Sequence, residues 1–69
     1  MKVVSQGRMC KILETRGWWL ERSRGPHYIY KHATILETIA IGKHPGEDLK
    51  RGTQRAIMRQ AGLIEADLV

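Results

Sequence analysis

Met9, Ile12 and Leu13 fall at i, i+3 and i+4, the spacing of one apolar helix face, with Arg8, Lys11, Glu14 and Arg16 left for the wet faces. Ser5 precedes this run as an N-cap, and Gly17 follows it as a residue that tolerates the left-handed turn at a helix end. The pattern predicts a helix from about Gln6 to Arg16. Met1 to Val4 is short and apolar and reads as a frayed lead-in.

The periodicity then changes to two. Trp18 to Arg22 reads as a strand, with Trp18 and Leu20 on a core face and Trp19 and Glu21 on the other. Ser23 to Pro26 is a turn, because Gly25-Pro26 breaks regular structure. His27 to His32 forms a second strand with His27, Ile29 and Lys31 on one face and Tyr28, Tyr30 and His32 on the other. Ile29 is expected in the core, which by parity carries His27 to the same side, at the open end of the strand. Ala33 to Leu36 must reverse the chain without Gly, Asn, Asp or Pro. Glu37 to Ile41 alternates again, with Ile39 and Ile41 inward. After a loop at Gly42 to Gly46, Thr53 is expected to cap a helix from Gln54 to Ala61 that offers Ile57 and Ala61 at i, i+4, flanked by Met58. Gly62 stands at its C-terminal end, with Leu63 folding back as an apolar contact. A short helical turn closes the chain at Glu65 to Val69. The order helix, three strands, helix implies an α+β fold: a two-layer domain, helices on one face of a three-stranded antiparallel sheet, the other face open.

Length bounds this to one small domain over residues 1–69, with a modest core and reason to expect a partner. Hydrophobic residues at 42% and charged residues at 28% are a globular balance. No apolar run is long enough for a membrane span, and Met1 to Ser5 carries no apolar signal region, so a cytoplasmic protein is expected. The single Cys10 cannot form an internal disulfide, which fits a reducing compartment. The net charge of +5 points to polyanionic partners, nucleic acid foremost.

The cations are unevenly spread. Arg22 and Arg24 flank the turn before His27, and Lys31 follows it; Lys50, Arg51, Arg55 and Arg59 gather at the second helix, Arg55 and Arg59 stacking at i, i+4. Such cations track phosphates without reading sequence. His27 is the foremost candidate for chemistry, because imidazole titrates nearest neutrality and here stands beside a turn among cations. The spacing of His27, His32 and His44 matches no structural zinc pattern, so no metal is expected. Glu47-Asp48 reads as a solvated acidic pair. Trp19, at least partly exposed, is either sheet-edge packing or a stacking or partner-contact surface.

Three blocks in order, Val3-Val4-Ser5 with Cys10 to Trp18, Arg22 to Tyr30, and Asp48 to Thr53 with Ile57 to Leu63, resemble the HicA (YcfA-like) toxin family. The resemblance implies a double-stranded-RNA-binding-like fold and an endoribonuclease, a messenger-RNA interferase that arrests translation. It further implies a toxin–antitoxin hetero-oligomer with a HicB-like antitoxin, and no cofactor. It maps the family's catalytic histidine onto His27. The family commonly has Ser where this chain has Pro26, and proline removes both a hydroxyl and an N–H from the turn. On this reading His27 takes the proton of a ribose 2′-OH. Arg22, Arg24 or Lys31 offset phosphorane charge, and Tyr28, Tyr30 and His44 are candidate acids. The alternative is a catalytically silent domain of the same fold, binding RNA or docking on an antitoxin.

Overall fold

The computed structural model describes all 69 residues. Its order is α1 (Gln6–Thr15), β1 (Trp18–Arg24), β2 (His27–His32), β3 (Ile39–Gly42) and α2 (Arg51–Ala61), closed by a 3₁₀ turn at Glu65–Leu68. The strands form one antiparallel sheet in the order β1-β2-β3. This is the expected α+β architecture. One apolar cluster joins Met9 and Leu13 of α1 and Ile57 and Met58 of α2 to Trp18, Tyr30, Ile39 and Ile41 of the sheet, so both helices cover the same sheet face.

The helix ends follow their sequence signals in part. The Ser5 hydroxyl accepts the Arg8 N–H at 3.1 Å and satisfies one orphan donor at the start of α1. Gly62 ends α2 at φ +69°, and Leu63 folds back so that its N–H donates to the Met58 carbonyl at 2.8 Å. The start of α2 differs from the sequence reading. It begins at Arg51 with Lys50 in the cap position and no capping side chain, so Thr53 is already inside the first turn.

Four further expectations are corrected. First, the N-terminal lead-in is not frayed. Val4 belongs to the core, Ser5 pairs with Asp48, the Leu49 N–H donates to the Val4 carbonyl at 3.0 Å and the Gln6 N–H to the Glu47 carbonyl at 2.8 Å. Gln54 locks this segment down. Its side chain is fully buried; Oε1 accepts the Val4 N–H at 2.9 Å and Nε2 donates to the Lys2 carbonyl at 2.6 Å. Second, the core face of β2 is the one bearing Tyr28, Tyr30 and His32. Ile29 is buried, at 7% exposure, on the opposite face and outside the core cluster. Tyr30 can take the inner position because its hydroxyl reaches Glu14 on α1 at 3.3 Å. Third, Leu20 is 46% exposed. It lies on the edge strand, where a bulge between Leu20 and Arg22 shifts the register and leaves it outside the packed layer. Fourth, Glu37 and Thr38 precede β3 rather than belong to it, and residues 33–38 form an irregular connection. His32 organises that connection. Its Nδ1 accepts the Thr34 N–H at 3.1 Å, which leaves Nε2 to donate to the Arg16 carbonyl, also at 3.1 Å, while the ring packs on Trp18 at 5.2 Å between centroids.

Candidate functional site

The β1–β2 hairpin closes on two residues. Arg24 and His27 are cross-strand partners and Gly25-Pro26 makes the turn, so β1 runs two residues further than its sequence pattern suggested. Gly25 has φ +56° and proline holds φ negative, the combination of a type II′ turn, whose twist matches that of the flanking strands. The Pro26 carbonyl accepts the Lys43 N–H at 3.2 Å, which carries the β2–β3 pairing to the base of the hairpin. His27 therefore stands exposed on the first residue of a strand paired on both sides, with Arg24 across one ladder and Gly42 across the other.

Beside it the outer edge of β3 forms one wall of a cleft of about 280 Å³. Its lining includes His27, Gln6, Glu47, Asp48, Lys50 and Thr53. The far wall is built by residues 47–50, the end of a 43–50 loop that is folded back onto the start of α1. Here the Gly7 N–H donates to the Pro45 carbonyl at 3.0 Å, and Gln6 Oε1 accepts the His44 N–H at 3.3 Å. Thus the buried Gln54 and the N-terminal segment it holds stand behind the wall that faces His27.

The cations named from the sequence divide into two sets. Pairing of Arg24 with His27 and of Arg22 with Ile29 puts both arginines on the face of the sheet that the helices do not cover, and Lys31 follows by parity from His27. Lys31 is engaged by Glu21, with Nζ to Oε2 at 3.1 Å, and Arg22 Nε lies 3.5 Å from the other oxygen of the same carboxylate. Arg51, Arg55 and Arg59 are exposed along α2, in the other layer. Lys50, at the start of α2, lines the His27 cleft and is the one member of the α2 set that does.

Neither tyrosine shares the face of His27. Tyr30 points into the core, and burial together with contacts to Cys10 and Glu14 raises its phenol well above the usual range, so it holds its proton rather than releasing it. Tyr28 is half-buried on the helix side, with Lys43 Nζ 5.3 Å from its ring centre. His44 is exposed in the loop but does not line the cleft. Cys10 is half-buried, and desolvation raises its thiol, which opposes nucleophilic use. No group of three His, Cys, Asp or Glu side chains converges to hold a metal ion.

Sequence reasoning gave Gln6 no site role, took Thr53 for a helix cap and read Glu47-Asp48 as a solvated pair, whereas all four line the His27 cleft. Nothing local marks them, because they reach His27 only through contacts some forty residues apart, such as the Gln6 to Glu47 bond. The family model described as the HicA toxin of bacterial toxin–antitoxin systems matches residues 8–63 of this chain. No curated protein matches it.

Proposed function

The chain belongs to the HicA toxin family and is the toxin member of a toxin–antitoxin pair; from this premise we propose that it is a metal-independent endoribonuclease acting on messenger RNA, with His27 as general base. The observation that carries the reading is the placement of His27: exposed, at the first residue of a strand, opposite Arg24 and in one cleft with Lys50 and Thr53. An imidazole so placed is accessible to a ribose hydroxyl while its backbone is held by two ladders.

In the proposed step the neutral imidazole accepts the 2′-OH proton. The 2′ oxygen forms a bond to the adjacent phosphorus as the bond to the 5′ oxygen breaks, giving a 2′,3′-cyclic phosphate and a 5′ oxygen that takes a proton from solvent in the open cleft. Lys50 and Arg24 stabilise the charge that builds on the phosphorane oxygens. Tyr30, turned into the core, has no part in this step. The 2′-OH nucleophile makes RNA, and not DNA, the substrate.

A HicB-like antitoxin is the partner under this proposal, forming a hetero-oligomer in the cytoplasm and neutralising the toxin by covering the His27 cleft. No helix is long and apolar enough to cross a membrane.

Purified wild type and His27→Ala, incubated with messenger RNA, test the chemistry. Loss of a general base lowers the cleavage rate by about 10²–10⁴-fold, while affinity for a 2′-O-methylated RNA stays within error. Cleavage by His27→Ala at the wild-type rate would refute the assignment. Binding without cleavage by the wild type would leave the silent RNA-binding module in its place.

A further inference from the structure

The uncovered face of the sheet carries more than the catalytic proposal uses. Trp19 pairs with Lys31, Arg22 with Ile29 and Arg24 with His27, so these side chains run along one face in that order, and Ala40 of β3 lies beside Ile29. Lys31 and His27 are four residues apart on β2, about 13 Å at the rise of an antiparallel strand. Trp19 is 45% exposed, although it is among the largest apolar side chains of the chain. Between them Ile29 is buried without belonging to the helix-side core. The face is thus an apolar strip with an indole at one end, a histidine at the other, and arginines alongside.

Resting on the RNA reading above, we infer that this face is a track for single-stranded RNA, with Trp19 as a platform on which one base stacks while a ribose further along the same strand reaches His27. A base stacks on an indole only when it is free of its own helix, and an aromatic beside cations is the usual recipe for sequence-tolerant single-strand binding. An A-form duplex offers no exposed base face and holds its 2′-OH away from the in-line path to phosphorus. Charge complementarity fits the same occupant: Arg22, Arg24 and Lys31 are set against one carboxylate, Glu21, which lies within 4 Å of two of them. Glu21 then acts as a brake, occupying the cations that a phosphate would otherwise take.

The test is fluorescence anisotropy with labelled 2′-O-methyl RNA of about 12 nucleotides, single-stranded or as a duplex. The full chain is compared as wild type, Trp19→Ala, Trp19→Phe, Glu21→Gln and Arg55→Ala/Arg59→Ala, each checked for folding by circular dichroism. The wild type binds the single strand more tightly than the duplex. Trp19→Ala loses about 5- to 100-fold in single-strand affinity and Trp19→Phe recovers most of it. Glu21→Gln gains about 2- to 5-fold. A Trp19→Ala protein that binds the single strand within twofold of wild type overturns the track, as does a loss confined to the α2 variant. A Trp19→Ala protein that keeps RNA affinity but no longer binds its antitoxin overturns it in favour of a protein contact. Failure of the wild type to bind either RNA overturns the RNA reading itself.

Discussion

Gln54→Met is the substitution that asks most directly whether the buried amide holds the molecule together. Methionine matches glutamine in length, so no large cavity is opened, and what is lost is one acceptor and one donor. The Val4 N–H, 2.9 Å from Oε1, is buried and has nowhere else to turn. Stranding such a group costs about 1–3 kcal/mol. The Lys2 carbonyl, 2.6 Å from Nε2, is only partly buried and water can reach it, so it adds under about 1 kcal/mol. The sum, about 1–4 kcal/mol, is large for a 69-residue chain, whose whole stability is about 3–10 kcal/mol. At about 4–8 °C per kcal/mol for a domain of this size, the thermal midpoint falls by at least about 4 °C.

Gln54→Glu sharpens the test through pH. A carboxylate there still accepts from Val4 but sets its second oxygen against the Lys2 carbonyl. The protonated acid is therefore favoured in the folded state, and its pKa rises above the ordinary glutamate value of about 4.3. The penalty is absent below that ordinary value and grows as pH rises through the raised one. Urea denaturation of wild type and both variants, measured at matched pH, reads the effect. A Gln54→Met midpoint within about 0.5 kcal/mol of wild type, or a Gln54→Glu penalty independent of pH, would refute the clamp.

Two other perturbations probe neighbouring joints. The Ile64 N–H, at 2.8 Å, and then the Arg16 guanidinium hold the Asp67 carboxyl below the usual aspartate range, so its contribution is complete above that range and is lost as pH falls through the lowered value; Asp67→Asn should flatten the acid limb of a midpoint-against-pH curve, and an unchanged limb would exclude the contact as its source. Glycine to alanine inside a helix ordinarily gains about 0.5–1 kcal/mol, but a Cβ on Gly7 would meet Pro45 Cβ at 2.9 Å and Pro45 O at 3.0 Å; Gly7→Ala should lower the melting temperature and slow RNA cleavage by displacing the 43–50 loop, and a raised melting temperature would show that the loop yields freely.

What the chain disclosed in advance was its local periodicity. Met9, Ile12 and Leu13 mark α1, Ser5 caps it, and Gly62 ends α2, because each signal is decided within one or two turns. What stayed hidden was decided at long range. Ile29 is the more apolar residue, yet Tyr30 takes the inner side, since only the helix layer supplies Glu14 for its hydroxyl. Gln54 looks like one more polar helix residue until the N-terminal segment, some fifty positions away, presents its backbone. The site shows the same division. His27 was legible as a reactive residue beside a turn, whereas its neighbours Gln6, Glu47 and Asp48 exist as neighbours only in the folded loop.

Pro26 belongs to both scales. In a two-residue turn the third position lies outside the ladder, so a proline there forfeits no strand pairing, and its carbonyl still fixes the base of the hairpin through Lys43. The fold thus absorbs proline without loss, and what proline removes, a hydroxyl and an N–H at the turn tip, is removed from the surroundings of His27 alone. On the proposed reading, phosphate recognition in this chain therefore falls to side chains: Arg24 across the hairpin, and Lys50 and Thr53 across the cleft. Contacts made by mobile cations are more readily screened than those of fixed backbone dipoles in a protected turn. On that reading the departure at one turn residue makes RNA recognition an electrostatic matter, sensitive to salt, while the two ladders still hold the backbone that presents His27.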